Sequence, residues 1–310
     1  MSVEFNRDEL FADAASIRLH PEFRLAMRRH TDIGLTVADG NPLVAKLICQ
    51  TSRYATMALI LCLDDLATEG DSAGGATVSK VIAAIGRTPF ASVSWAKLMV
   101  RVFHRGGLIE YAPAGPDRRT RPFYPTPRLI EMGQQSIEIF LEALAFVRPV
   151  PLPPAELARR PGILTGFARE LVECYLAHRF SMLEPFPETE ALFKHDFGYL
   201  IFTHLIQTMQ MQDADGGIFG AAPAGEMSRR YGVSRATVRN VLDLSERKGL
   251  IVQEAKAGRH IRFTPVFVDL AERWVATDLA WLNHLMQRTT LRLGIGTACV
   301  RPGESLVIPA

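Results

Sequence analysis

Arg235, Thr237, Arg239 and Asn240 lie close together in the chain, and on a helix they fall on the face opposite Val238, Val241 and Leu242. These are side chains suited to reading base edges: a guanidinium can donate twice to guanine O6 and N7, and a carboxamide can pair with adenine N6 and N7. Ser234, just ahead of them, is a good helix N-cap and joins the same candidate group. A second set, Ser94, Lys97 and Arg101, recurs at three- and four-residue steps and offers a hydroxyl and two cations for phosphate or base contact. Arg118, Arg119 and Arg121, and likewise Lys256, Arg259 and His260, are expected at the tips of two-stranded ribbons, where they would enter a minor groove or clamp phosphates. Each set also admits a plain reading, as a solvated helix face or a charged hairpin.

Other chemistry finds no support. There is no P-loop, no G-x-G-x-x-G after a strand, no G-x-S-x-G and no H-E-x-x-H, so an enzyme is not expected. His195 and His204 are nine apart and no i, i+4 histidine pair or Cys/His cluster occurs, which predicts neither a metal nor a cofactor. Met209, Met211, Trp274 and Trp281 could line an effector pocket between long helices, although apolar stripes at this spacing more often form core. Cys49, Cys62, Cys174 and Cys299 are scattered without C-x-x-C spacing, which points to inert, reduced thiols in a cytoplasm. The longest apolar run, Met57 to Leu63, is ended by Asp64 and Asp65, far short of the roughly 20 residues a membrane helix needs. The acidic N-terminus lacks a signal-peptide pattern, so a soluble cytoplasmic protein without a membrane partner is expected.

The elements that must position the candidate residues belong to a chain of 310 residues, 48% hydrophobic and 22% charged, long enough for two domains. Its formal charge of +2 hides an uneven distribution. Residues 76–130 carry nine Lys/Arg against two acids, a net +7, and residues 225–266 carry nine against four, a net +5, which leaves −10 on the rest. Two basic islands on an acidic body suggest two surfaces for a polyanion.

The islands also repeat each other. Leu108-Ile109 recurs as Leu250-Ile251 at an offset of 142, and Thr126-Pro127 as Thr264-Pro265 at 138, so the second copy is four residues shorter in the hairpin between. Each copy reads as helix, turn, second helix, two-stranded ribbon and longer helix. In the second copy Gly232 suits a helix C′ position and Gly249 closes the next helix. Residues 250–254 and 259–263 have strand length, joined through Gly258. Outside the islands, Asn41 caps a predicted helix begun by Pro42 and running toward Ala67, with residues 197–211 as its counterpart. Amphipathic helices over residues 129–146 and 268–286 follow the islands, and the Pro-rich stretch from Arg148 to Pro154 reads as an extended linker.

The stretch Val233-Ser-Arg-Ala-Thr-Val-Arg239, followed by Glu246-Arg-Lys-Gly-Leu-Ile251, resembles the recognition-helix signature of GntR-type winged-helix repressors. The first island resembles the MarR type, through Arg105-Gly-Gly-Leu-Ile109, Asp117-Arg118-Arg119 and the Thr126-Pro127 that opens the next helix. Gly86-Arg-Thr-Pro-Phe90 departs from both patterns, and Trp95 stands where a small polar base-reader is usual. No GntR-type effector domain is evident after the second ribbon.

These resemblances imply a mainly α fold with small β-wings: two winged helix-turn-helix units fused as a pseudodimer and flanked by long packing helices. The expected organisation is a first unit over 1–147, a linker over 148–162, a second unit over 163–293 and a tail over 294–310. The expected function is a sequence-specific transcriptional regulator, binding double-stranded DNA at an asymmetric or pseudo-palindromic site as a monomeric pseudodimer or a homodimer. A plasmid-type replication initiator and a protein-interaction winged-helix scaffold are the alternatives. The basic islands disfavour the scaffold.

Overall fold

The computed structural model describes residues 5–40, 51–68, 75–88, 92–113, 121–209, 211–212, 217–255 and 260–295. The described residues are mainly helical, with two small antiparallel sheets among them. The first half contains α1 (Arg7–Arg18), α2 (Phe23–Gly40), α3 (Thr51–Thr68), α4 (Val78–Ile85), α5 (Val93–Arg105), β1 (Ile109–Tyr111), β2 (Phe123–Pro125) and α6 (Pro127–Ala145). The second contains α7 (Pro154–Arg159), α8 (Ile163–His178), α9 (Pro187–Phe193), α10 (Gly198–Thr208), β3 (Met211–Gln212), β4 (Ile218–Gly220), α11 (Ala224–Tyr231), α12 (Arg235–Arg247), β5 (Ile251–Ala255), β6 (His260–Phe263) and α13 (Pro265–Arg292). Among the described residues no helix is long and apolar enough to cross a membrane.

Local chemistry sets the boundaries of the repeated segment. The Ser92 and Ser234 hydroxyls accept from the backbone N–H of Trp95 and Thr237, at 3.2 and 3.0 Å, and so start α5 and α12. Both helices end at a glycine in the left-handed region, Gly107 at φ 67° and Gly249 at φ 69°, where a side chain would be strained. The turn is then closed by the same bonds twice: Leu108 N–H donates to Phe103 O at 2.9 Å, and Leu250 N–H to Ser245 O at 3.0 Å. The threonine that opens the following helix ties it to this turn. Thr126 Oγ1 donates to Gly107 O at 2.7 Å, and Thr264 Oγ1 to Gly249 O at 2.8 Å.

The ribbons repeat as well. In the first, β1 pairs antiparallel with β2, and Ala76 bridges to Phe123 on the far side of β2. In the second, β5 pairs with β6, and β4 lies on the far side of β6, with β3 extending that edge. The copies differ in the number of residues between their first two helices, seven (86–92) in one and three (232–234) in the other. Gly232 makes the short turn possible by adopting φ 65°.

The long helices join the halves reciprocally. α2 of the first half lies along α10 of the second, and α8 of the second lies along α3 of the first. α2 packs on α6 and α8 on α13, and α6 and α13 touch each other. Each contact thus has a mate under the exchange of halves, and the buried hydrophobic residues form one continuous core. Polar contacts add to the seam: buried Asp65 of α3 accepts from Thr165 at 2.8 Å and pairs with Arg292 at 3.1 Å, while Arg18 of α1 pairs with Glu272 of α13 at 2.8 Å.

The helices preceding the islands pack across the halves, α3 along α8 and α10 along α2, and Phe202 of α10 also meets Trp274 and Phe267 of α13. Two expectations are corrected here. The Pro-rich stretch is not a free extended linker. Pro153 and Pro154 start the short helix α7, and Val150, Leu157 and Ala158 are buried where α7 packs back on α6. α13 also continues beyond Met286 to Arg292, with Thr289 and Thr290 buried. The Asn41 cap, Cys49, Cys299 and the tail beyond Ile295 lie outside the described residues.

Candidate nucleic-acid interface

α12 carries the predicted reading residues on its free face. Val238, Val241 and Leu242 are buried against α11 and the ribbon, which leaves Arg235, Arg239 and Asn240 exposed. None of these three has a hydrogen bond or ion pair with another described residue, so their donors are uncommitted. Arg229 of α11 lies beside Arg235 near Gly225 and widens the positive surface. Ser234 and Thr237 are spent on structure: besides the cap, their hydroxyls are 2.9 Å apart. Asp243, further along α12, is held at 3.1 Å by Gln253 of β5.

α5 presents a different face on the same backbone. Ala96, Met99, Val100 and Phe103 are buried, and Ser94, Lys97 and Arg101 are exposed without partners among the described residues. Trp95, expected at a base-reading position, is instead turned inward and half-buried, with the Arg53 guanidinium of α3 5.7 Å from its ring centre. The side chains that share the outer face with Lys97 are Val93 and Leu98, 42% and 47% exposed. Sequence reasoning passed over this apolar pair, although the 142-residue offset places Val93 opposite Arg235 and Leu98 opposite Asn240.

The ribbon residues divide. Arg118, Arg119, Lys256 and Arg259 lie outside the described residues. Arg121 is not at a tip: it precedes β2, donates from Nε to Ala112 O at 2.5 Å and stacks its guanidinium over Tyr111. His260 is held against its own sheet, with Nδ1 2.9 Å from Glu254 and its ring stacked on Phe219 of β4. Glu254 also accepts from Arg262 at 3.0 Å, so the base of the second ribbon is internally neutralised. Of the predicted reading residues that are described, those exposed and without partners lie on α5 and α12.

Beneath the second helix pair, His204 of α10 meets the Tyr231 hydroxyl of α11 through Nδ1 at 3.1 Å. Burial, with nearby Arg230 assisting, pushes this imidazole down to about 4, so it is neutral at ordinary pH. Burial likewise pushes the Cys62 and Cys174 thiols up to about 12, which suppresses the reactive thiolate. Among the described residues no group of His, Cys, Asp and Glu is placed to hold a metal ion. Comparison of the chain with protein-family models, curated proteins and solved structures finds no match.

Proposed function

We propose that the protein is a sequence-specific duplex-DNA-binding regulator of transcription, built from two winged helix-turn-helix units joined in one chain as a pseudodimer. The observation that carries this reading is the exposed, uncommitted set Arg235, Arg239 and Asn240 on α12, presented by a helix-turn-helix and ribbon whose backbone recurs around Lys97 and Arg101. α12 would lie in a major groove and supply base recognition, while α5 supplies phosphate contacts and a weaker preference of its own. The +7 and +5 islands supply the electrostatic attraction. Because the two helices differ, the favoured site is asymmetric. The reading agrees with the resemblance of the second unit to GntR-type and of the first to MarR-type repressors.

Selection from a random duplex library, followed by a salt titration on the winning site, tests this. Enrichment of one asymmetric sequence is expected, with log K falling against log salt at a slope on the order of −5 for about six neutralised phosphates. No enrichment, or an affinity flat between low and physiological salt, would defeat the proposal.

A further inference from the structure

A cavity of about 370 Å³ lies between the two halves, walled by α3, α6, α8 and α13 and by the loop after α8. This is within the range of small-molecule sites, about 300–1,000 Å³. Edge-to-face rings bound it on one side: Phe202 meets Trp274 at 5.3 Å and Phe193 at 5.7 Å, and His30 meets Trp274 at 5.6 Å, with Trp274 and Phe193 themselves part of the wall. The volume is apolar and no side chain fills it, so its wall atoms forgo the contacts that close packing would give.

The charges of the wall restrict what can enter. Among the described residues neither lysine nor arginine lines it, and the one carboxylate is Asp278, 2.7 Å from His30 Nε2. The carboxylate beside His30 leaves no uncompensated positive charge at that point of the wall. An anion inside would therefore leave water without a compensating charge. Polar anchors for a neutral ligand do exist. Tyr54 is 44% exposed and lines the cavity, where its phenol hydroxyl can donate. Trp274, 3% exposed and part of the wall, has an indole N–H with no acceptor among the described residues.

We propose that this cavity binds one uncharged, largely apolar aromatic molecule, and that Asp278, in a wall whose described residues include no lysine or arginine, excludes anions. The proposal is independent of whether the protein binds DNA. Its test uses two fluorescent probes of matched shape, neutral N-phenyl-1-naphthylamine and its sulfonated analogue 8-anilino-1-naphthalenesulfonate, titrated into the full-length protein. Saturable one-to-one binding of the neutral probe is expected, at least tenfold tighter than that of the sulfonate. Ala168→Trp, which fills the cavity from α8, should weaken the neutral probe at least tenfold. Ala58→Leu fills it from α3 and should weaken it about threefold, which keeps the test decisive if the larger substitution unfolds the chain. Asp278→Asn retains an acceptor for His30 and should narrow the gap between the probes by at least threefold through tighter binding of the sulfonate. Non-saturable binding, equal affinity for the two probes, or wild-type affinity in a folded Ala58→Leu variant would overturn the proposal.

Discussion

α5 and α12 share a serine cap, a left-handed glycine at the exit and a threonine that bonds back to that glycine's carbonyl, yet they offer different surfaces to solvent. Where α12 has Arg235, Arg239 and Asn240, the register of α5 supplies Val93, Lys97 and Leu98. The bonds that fix these helix ends are local and set backbone geometry, whereas Arg235, Arg239, Asn240 and Lys97 on the outward faces have no hydrogen bond or ion pair with another described residue. One scaffold thus carries a helix rich in directional donors and another that pairs methyl groups with a few cations. If both meet DNA, the first discriminates by hydrogen bonds and the second mainly by charge and apolar contact.

The largest expected effect that separates the helices is on sequence preference. Arg239→Ala should cost about 1–3 kcal/mol on the selected site and relax the base preference beneath it. Lys97→Ala, in the matching register, should weaken binding to all sequences alike and reduce the salt slope by about one. Competition binding against scrambled duplexes distinguishes these outcomes. A specific loss from Lys97→Ala and none from Arg239→Ala would reverse the assignment.

A smaller effect tests the claim that the backbones are equivalent. Ser92→Ala and Ser234→Ala each remove one cap hydrogen bond, and each should cost about 1 kcal/mol of stability. Denaturant unfolding should give similar losses for the two. A negligible loss from Ser92→Ala alone would mean that the start of α5 is supported by other contacts than its cap.

The parts of this comparison that were legible in the sequence are the local ones. Ser234, Gly232 and Gly249 signalled their caps because a cap depends on a few neighbouring residues, and Val238, Val241 and Leu242 signalled the buried face through helical spacing. What escaped depends on residues far apart in the chain. Trp95 turns inward because Arg53, on a different helix, receives its ring, and His260 is pinned by a strand partner and by Phe219. The reciprocal pairing of α2 with α10 and α3 with α8 is a property of two halves folding together, and no single periodic stripe names its partner. The prolines misled for a physical reason: the residue that favours an extended linker also favours the first turn of a helix, and burial of Leu157 and Ala158 decided for the helix.

Acid should unbalance the two units. The His204–Tyr231 contact has no mate in the first half, where the register of α4 puts buried Ile85 in place of Tyr231. The folded state holds His204 neutral, with its value depressed to about 4 chiefly by burial, whereas the unfolded chain takes up a proton near the ordinary histidine value. The unfolded state therefore binds more protons between about pH 6.5 and 4, and stability falls with pH through that window. Between pH 7 and 5.5 the loss from this group should be about 1 kcal/mol. Thermal unfolding of the wild type and of His204→Gln checks it: the variant should show a shallower decline, and parallel curves would assign the acid sensitivity elsewhere.

The smallest expected effect concerns the apolar pair on α5 and asks whether this helix reads bases at all. Val93 and Leu98 are exposed on the same face as Lys97, and the apolar feature that a major groove offers such side chains is the thymine 5-methyl group. Burial of one methyl between a leucine or valine and a base contributes about 0.8 kcal/mol at most. Replacing thymine by uracil removes this methyl and leaves every hydrogen-bonding group in place. In the selected site, uracil substitution within the half bound by α5 should weaken binding by about twofold to fourfold per contacted base, an effect lost in Leu98→Ser. The same substitution in the half proposed for α12 should change little, because a guanidinium and a carboxamide pair with donors and acceptors rather than with methyl groups. Equal sensitivity in both halves would place the difference in DNA shape rather than in these side chains. Insensitivity in both would leave α5 as a phosphate-binding helix, with sequence preference residing in α12 alone.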